Sequence, residues 1–585
     1  MEYKYTSEKN HLILLSLLKE YGIRKVVASP GATNITLVAS MQHDSYFEMY
    51  SCVDERSAAY MACGMAEQSG EPVIISCTGA TSARNYMPAL TEAYYRKLPV
   101  LAITSTQDIS RVGHMVAQVT DRSVKPNDIV MESVHLQTVK DKTDEWDCMI
   151  KVNKALRALS HHGGGPSHIN LTTTYSRDYS IENLPKVNKI SSYYLFSDTF
   201  PELPKGRIAI FVGAHNRWTK DETIAVDKFC ETNNAVVFCD QTSNYRGKYR
   251  VQTALAGLQT TYKSELLKVD LIIHIGEISG GYETMNFIPQ QVWRVSEDGV
   301  LRDQFKKLTA IFDMPEVIFF NHYLNSSKNI LTSYYEEWCE ENNRLYQLIP
   351  DLPYSNIWMA QQSSMKFPKN SIVYLGILNS LRSWNFFETP KTVEVHSNTG
   401  GFGIDGIMST LIGSSIIAPQ KLHFAILGDL SFFYDMNSIG NRHIGSNVRI
   451  MIVNNGKGME FRLINHNGAM FGDETDKYIA AAGHYGNISH TIVKHLATDL
   501  GYEYLSADNK EDFLKVSERF FDPRIKDTPI IFEVFTTTED ETGALRFLEE
   551  LIVDTQVLIK EKSKEVVGAI LGNKGKSILK NILKK

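Results

Sequence analysis

Asp429 closes the apolar run "HFAILGD", and Asn455 closes the run "VRIMIVNN". Both runs read as buried strands, and the stretch between them reads as a helix. An acid and an amide therefore stand at the tips of two buried parallel strands, 26 positions apart. Open parallel sheets bind ligands at the carboxyl ends of their strands. A carboxylate and an amide oxygen there, with backbone carbonyls nearby, are hard-oxygen ligands suited to Mg²⁺, which keeps places for phosphate and water. The helix opening at Asp429 would aim its N-terminus at that phosphate. The pair predicts protein oxygens on one side of a metal and a diphosphate on the other.

The elements that must position these residues are visible as apolar runs alternating with helical patterns. In the first third the runs are "RKVVASPG", "EPVIISCTG", "LPVLAITS" and "SHINL", separated by helix-like stretches such as "ERSAAYMACGMAEQSG". The stretch 172–205 is polar, carries Pro185, Pro201 and Pro204, and reads as a linker. A second set follows: "RIAIFVG", "NAVVFCD", "DLIIHIG" and "VWRVS". Another connection is expected around 345–370, from "IPDLPYSN" and "KFPKNS". The third set is "SIVYLG", "TVEVHSN", "HFAILGD", "VRIMIVNN" and "PIIFEVF". This is the pattern of doubly wound parallel sheets, one α/β fold used three times. The expected domains are 1–180, 181–350 and 351–545, followed by a basic tail, 546–585.

Composition agrees with a multidomain globular chain: 585 residues, 43% apolar, 22% charged. A net charge of −6 gives no global attraction to nucleic acid. The seven cysteines lack CxxC spacing, which predicts free thiols in a reducing compartment. The N-terminus has no signal-peptide pattern and no stretch is long and apolar enough to span a membrane, so a cytoplasmic protein is expected. The tail "KEKSKEVVGAILGNKGKSILKNILKK" could form a helix that packs on a partner subunit or touches an anionic membrane. Gly568, Gly572 and Gly575 weaken either helix.

The "GD…NN" pair is not isolated. "SPGATN", "YSCVDERSAAYMACGMA" and "CTGATSARNYMPALTEAYYRKLPVLAITS" precede it in matching order. Together they resemble the thiamine diphosphate-dependent superfamily of decarboxylases and acetolactate synthases. The resemblance implies three doubly wound domains: pyrimidine-binding, central and diphosphate-binding. It implies that Asp429 and Asn455 bind Mg²⁺ by side chain and Lys457 by its carbonyl, with Gly428 and Leu430 beside the cofactor. That superfamily more often has Gly-Asp-Gly, where this chain has Leu430. Glu55 stands where the superfamily places the carboxyl that bonds the pyrimidine ring and promotes the imino tautomer. Taken alone, Glu55 could merely cap a helix near Arg56. In the superfamily this acid and the metal site come from different subunits, so a homodimer or homotetramer is implied.

The C-terminal third is similar to the 2-succinyl-5-enolpyruvyl-6-hydroxy-3-cyclohexene-1-carboxylate synthase family, through "SNTGGFGIDGIMST" and "GDLSFFYDMN". By that resemblance Ile404 bends the cofactor, while Asn379, Ser380 and Ser431 approach its diphosphate. Plain core for Ile404 and a helix cap for Ser380 are the alternatives. Several basic residues of that family are missing. Thr33 and Thr399 replace two arginines, and a Lys-Arg pair falls at Gly281-Tyr282. Each lost arginine removes charge-assisted bonds of roughly 1.5–3 kcal/mol opposite a carboxylate, which argues against that family's own substrates. "GHMVAQVTD" also resembles the acetolactate synthases, with Gln118 near the thiazolium and His114 able to polarise a substrate oxygen. Arg84 and Arg111 are replacement anchors for carboxylate or phosphate. The central domain holds flavin in some relatives, but nothing here requires FAD. The expected activity is decarboxylation of a 2-oxo acid, with ligation to a second carbonyl or enoyl acceptor. Simple decarboxylation, the menaquinone-pathway reaction itself and a non-catalytic family member are the alternatives.

Overall fold

The computed structural model describes residues 4–553 except 198, 216, 327–332 and 486–487, so most of the basic tail, from 554 on, lies outside the described residues. Residues 1–192 with 301–311 form one compact unit, and 193–300 with the chain from 312 form another.

The first sheet holds β1 (Lys25–Ala28), β2 (Glu48–Ser51), β3 (Val73–Thr78), β4 (Val100–Thr106), β5 (Glu132–Leu136) and β6 (Ser167–Thr172). Their order is β2-β1-β3-β4-β6-β5 and every ladder is parallel. The second sheet holds β7 (Ser191–Tyr194), β8 (Ile208–Val212), β9 (Ala235–Cys239), β10 (Arg250–Gln252), β11 (Lys268–Ile275), β12 (Ile288–Val295) and β13 (Leu308–Asp313). They run in the order β10-β9-β8-β11-β12-β13-β7. The third holds β14 (Ile372–Leu375), β15 (Glu394–His396), β16 (His423–Gly428), β17 (Val448–Asn454), β18 (Glu503–Ala507) and β19 (Ile530–Phe535), ordered β15-β14-β16-β17-β19-β18 and parallel throughout. The first and third sheets thus share one winding, strand for strand.

The central strands are the apolar runs of the sequence. β3, β4, β8, β9 and β17 are buried along their whole length, as strands covered by helices on both faces must be. The strands that lack such runs lie mostly at edges. β2, β5 and β18 are only partly buried, so their sequences carry no continuous apolar signal. Two stretches read as connections hold structure. The segment 172–205 contains β7, and its Ile181 bridges Tyr5. Within the same segment, the backbone N–H groups of Thr174 and Ser176 donate to the buried Glu8 carboxylate. Polar composition hid this because the segment is held by backbone and carboxylate bonds, not by apolar burial. The connection 345–370 contains a buried helix, Asn356–Ser363, capped by Ser355. All seven cysteines are unpaired. Among the described residues no helix is long and apolar enough to cross a membrane.

Candidate active site

Asp429 is the first residue of the short helix Asp429–Tyr434, directly past β16, and is 2% exposed. Burial pushes its carboxyl up to about 7, against the backbone N–H groups of Asp429, Asn455 and Leu430, which favour the charged form. The tips of β16 and β17 therefore converge: the Asn455 backbone serves the Asp429 carboxyl. The two asparagines have different fates. Asn454 donates to Glu533 Oε1 at 2.7 Å and accepts the Gly456 N–H at 3.1 Å. The buried amide oxygen of Asn455 has no hydrogen-bond partner among the described residues. A desolvated carboxyl beside an orphaned amide oxygen fits a hard cation, which would replace the hydration both atoms have lost. Lys457 turns its ammonium onto Asp476 at 2.5 Å.

The motif segments around this pair are cross-bonded. Ser431 Oγ donates to the Ile404 carbonyl. Asp435 accepts the Ser409 N–H at 2.7 Å and its hydroxyl at 2.6 Å. Ile404 is half-buried in the loop before the helix Ile407–Ile417. Gly428 closes β16 and Leu430 is half-buried beside Asp429. Asn379 opens the helix Asn379–Asn385, and the Ser380 hydroxyl accepts from Asn356 Nδ2 at 3.3 Å. Sequence reasoning missed Glu541, a fully buried acid that accepts the Asn356 N–H at 3.0 Å. Burial pushes it up to about 7, and Asn379 is among the groups that oppose the rise. Its only signal was an acid at a helical core position. Thr399 is buried, its N–H bonded to the Ser397 carbonyl. Gly280 and Gly281 lie against the same region. A Cβ on Gly280 would collide with Leu381, and one on Gly281 would come within 2.7 Å of Asn385 Nδ2. Side chains of Asn385, Thr284 and Asp240 crowd Gly281, the first position of the basic pair sought at 281–282. Tyr282 is exposed, its ring 5.9 Å from Phe402.

In the first unit, Glu55 begins the helix Glu55–Ser69 just after β2. The cap is Asp54, whose carboxylate accepts the Ser57 N–H, so Glu55 is not the capping residue. It is half-buried and accepts from Asn85 Nδ2 at 3.3 Å. Thr33 is 2% exposed, with its hydroxyl shared between Thr78 and the Ser105 carbonyl, so it is engaged inside the sheet. His114 and Gln118 lie on the exposed loop after β4, and Gln118 adopts a left-handed conformation with φ 63°. Arg111 on the same loop bonds Gln107. Arg84 is exposed on the turn of helix Thr81–Asn85.

Residues 11–124 match the family described as thiamine pyrophosphate enzyme, N-terminal TPP binding domain. Over most of its length the chain is similar to 2-succinyl-5-enolpyruvyl-6-hydroxy-3-cyclohexene-1-carboxylate synthases. The Bacteroides fragilis protein is 30% identical over 567 residues, covering 93% of this chain and 98% of that protein. The Phocaeicola vulgatus protein is 29% identical with the same coverage. The chain is a thiamine pyrophosphate-dependent enzyme of the lyase or carboligase type. Within that class it belongs to the family of these synthases.

Proposed function

We propose that the chain is a Mg²⁺-dependent carboligase that decarboxylates a 2-oxo acid and joins the remaining acyl unit to a second carbonyl or enoyl acceptor. The observation that carries this reading is the buried pair at the tips of β16 and β17, a desolvated Asp429 beside the unpartnered Asn455 amide oxygen. Thiamine diphosphate, when bound, supplies the electron sink for a departing carboxylate. Asp429, Asn455 and the Lys457 carbonyl hold the metal that anchors the diphosphate. Asn379, Ser380, Gly428, Leu430 and Ser431 orient that diphosphate, and Ile404 supports the ring pair. Glu55 holds a proton at the aminopyrimidine ring nitrogen. Gln118 and His114 attend the substrate oxygen, Arg84 and Arg111 its carboxylates, and Thr399 lines the substrate side, while Thr33, bonded inside the sheet, supports the strands behind it. A second copy of the chain completes the site, Glu55 and Asp429 coming from different copies. The expected domain division is 1–180, 181–350 and 351–545, followed by the tail 546–585.

The similarity over most of the chain favours a second reading, formation of the product for which the relatives are named. The crowded glycines at Gly280 and Gly281 weigh against it. The test is to incubate protein loaded with coenzyme and Mg²⁺ with pyruvate or 2-oxoglutarate, with and without carbonyl acceptors, and to follow CO₂ and product mass. An acceptor-dependent adduct is expected. Release of CO₂ and free aldehyde whatever the acceptor would replace the carboligase reading by simple decarboxylation. Absence of saturable coenzyme uptake would overturn both.

A further inference from the structure

The first unit holds a pocket of about 260 Å³ beside the end of β3. Its apolar lining includes Met87, Leu90, Val124, Ile129 and Val130. Its polar lining includes Arg84, Arg122 and Lys125. Among the described residues none of these three cations forms an ion pair with a carboxylate. Arg122 instead donates to neutral partners, Thr104 Oγ1 at 2.7 Å and Asn170 Oδ1 at 2.6 Å. Lys125 donates to the Arg122 carbonyl at 2.9 Å. Gly79 makes room for the guanidinium, since a Cβ there would stand 3.1 Å from Arg122 Nη2.

Three cations face one acid, Asp121, so the neighbouring groups leave positive charge in excess. His168 also lines the pocket, and burial, then Lys125 and Arg122, hold it well below its ordinary range and therefore neutral. Thr104 Oγ1 accepts from Arg122, so its own proton goes to His168 Nε2 at 2.7 Å. Burial lowers both Arg122 and Lys125; Arg84 adds to the fall at Arg122 and Arg122 to the fall at Lys125, while Cys77 opposes it at Arg122 and Asp121 at Lys125. The acid at the rim is Asp121, exposed and occupied by the N–H and hydroxyl of Ser123. Half-buried cations without a counter-charge are costly unless an anion completes them.

We propose that this pocket binds an organic carboxylate with an apolar body, its carboxylate on Arg122 and Lys125 with Arg84 at the mouth, and its body against Met87, Leu90 and Ile129. The inference goes beyond the proposed function, shares only Arg84 with it, and rests on Arg122 and Lys125, which that reading does not use. The helix turn that lines the pocket through Arg84 also carries Asn85, the partner of Glu55.

Benzoate is the probe, with isosteric, uncharged benzamide as its control, both titrated calorimetrically into the full-length protein. Saturable benzoate binding is expected, with benzamide at least tenfold weaker. Lys125→Gln and Arg84→Gln should each weaken benzoate by about tenfold or less, and Arg122→Gln by more than tenfold. Arg122 also ties two strands, so the Lys125 and Arg84 variants keep the test valid if Arg122→Gln misfolds. Equal binding of benzamide, no saturable benzoate binding, or unchanged affinity in Lys125→Gln and Arg84→Gln would overturn the proposal. Coenzyme uptake is read in a separate titration, so failure here is distinguishable from failure of the proposed function. Benzoate that competes with the 2-oxo acid or its acceptor marks the pocket as a substrate subsite, and non-competitive action marks it as an effector site.

Discussion

The first and third sheets are wound in the same strand order, yet the acids beyond their strands live in opposite surroundings. Asp429 follows β16 and is sealed in, its charge served by the backbone of its own sheet. Glu55 follows β2, an edge strand, and has one side-chain bond, from Asn85. The same winding has thus placed acids in two kinds of surroundings. A carboxyl beyond a central strand is walled by neighbouring strand tips and suits a desolvated metal ligand. A carboxyl beyond an edge strand keeps an open face and can reach a bound ring.

Glu55→Gln is the sharpest way to break the comparison. With one bond at stake its thermal midpoint should stay within a degree or two, while turnover falls by about 10²–10⁴-fold, the usual worth of a positioned proton-transfer group. Unchanged turnover, measured with coenzyme saturating, would remove Glu55 from the chemistry.

The buried acid predicts a pH dependence of the opposite kind. Asp429 rises from 3.8 to about 7 on folding, so the folded unit binds the proton more tightly than the unfolded chain. The protein without metal should therefore lose stability as pH rises from about 4 through about 7, by on the order of a few kcal/mol. Glu541 and Glu549, also raised to about 7, act in the same direction. Urea midpoints across that window, with and without Mg²⁺ and coenzyme, measure the slope. Bound metal should flatten it by favouring the carboxylate. Asp429→Asn should remove its share of the slope and weaken Mg²⁺-dependent coenzyme uptake by tenfold or more. A slope untouched by that variant would show that Asp429 ionises freely.

The smallest effect separates the adjacent asparagines. Asn454→Ala strips Glu533 of a bond and should cost about 1–3 kcal/mol of stability. Asn455→Ala should leave stability within about 0.5 kcal/mol and act on coenzyme affinity, because its oxygen has no hydrogen-bond partner among the described residues. Denaturation and coenzyme titration of both variants decide it.

Local pattern made much of this legible. Apolar runs revealed the central strands, and the polar residues ending them marked Asp429 and Asn455 as tip residues. Edge strands escaped: β2, "EMYS", and β7, "SSYY", have one flank open and so no continuous apolar run. Glu541 escaped because a core-facing acid on a helix looks like any solvated acid until its neighbours are known.

Read alone, the chain determined its alternation of strands and helices and the order of its chemical motifs, because hydrophobic period and tip polarity are properties of neighbours in sequence. Only the tertiary structure decided which of two asparagines keeps a free oxygen, how closely side chains crowd Gly280 and Gly281, and that Arg84, Arg122 and Lys125 share one pocket in which Asp121 is the one acid among the lining residues. Those outcomes depend on bonds between segments far apart in the chain, and close packing settles them by what room and which partners remain.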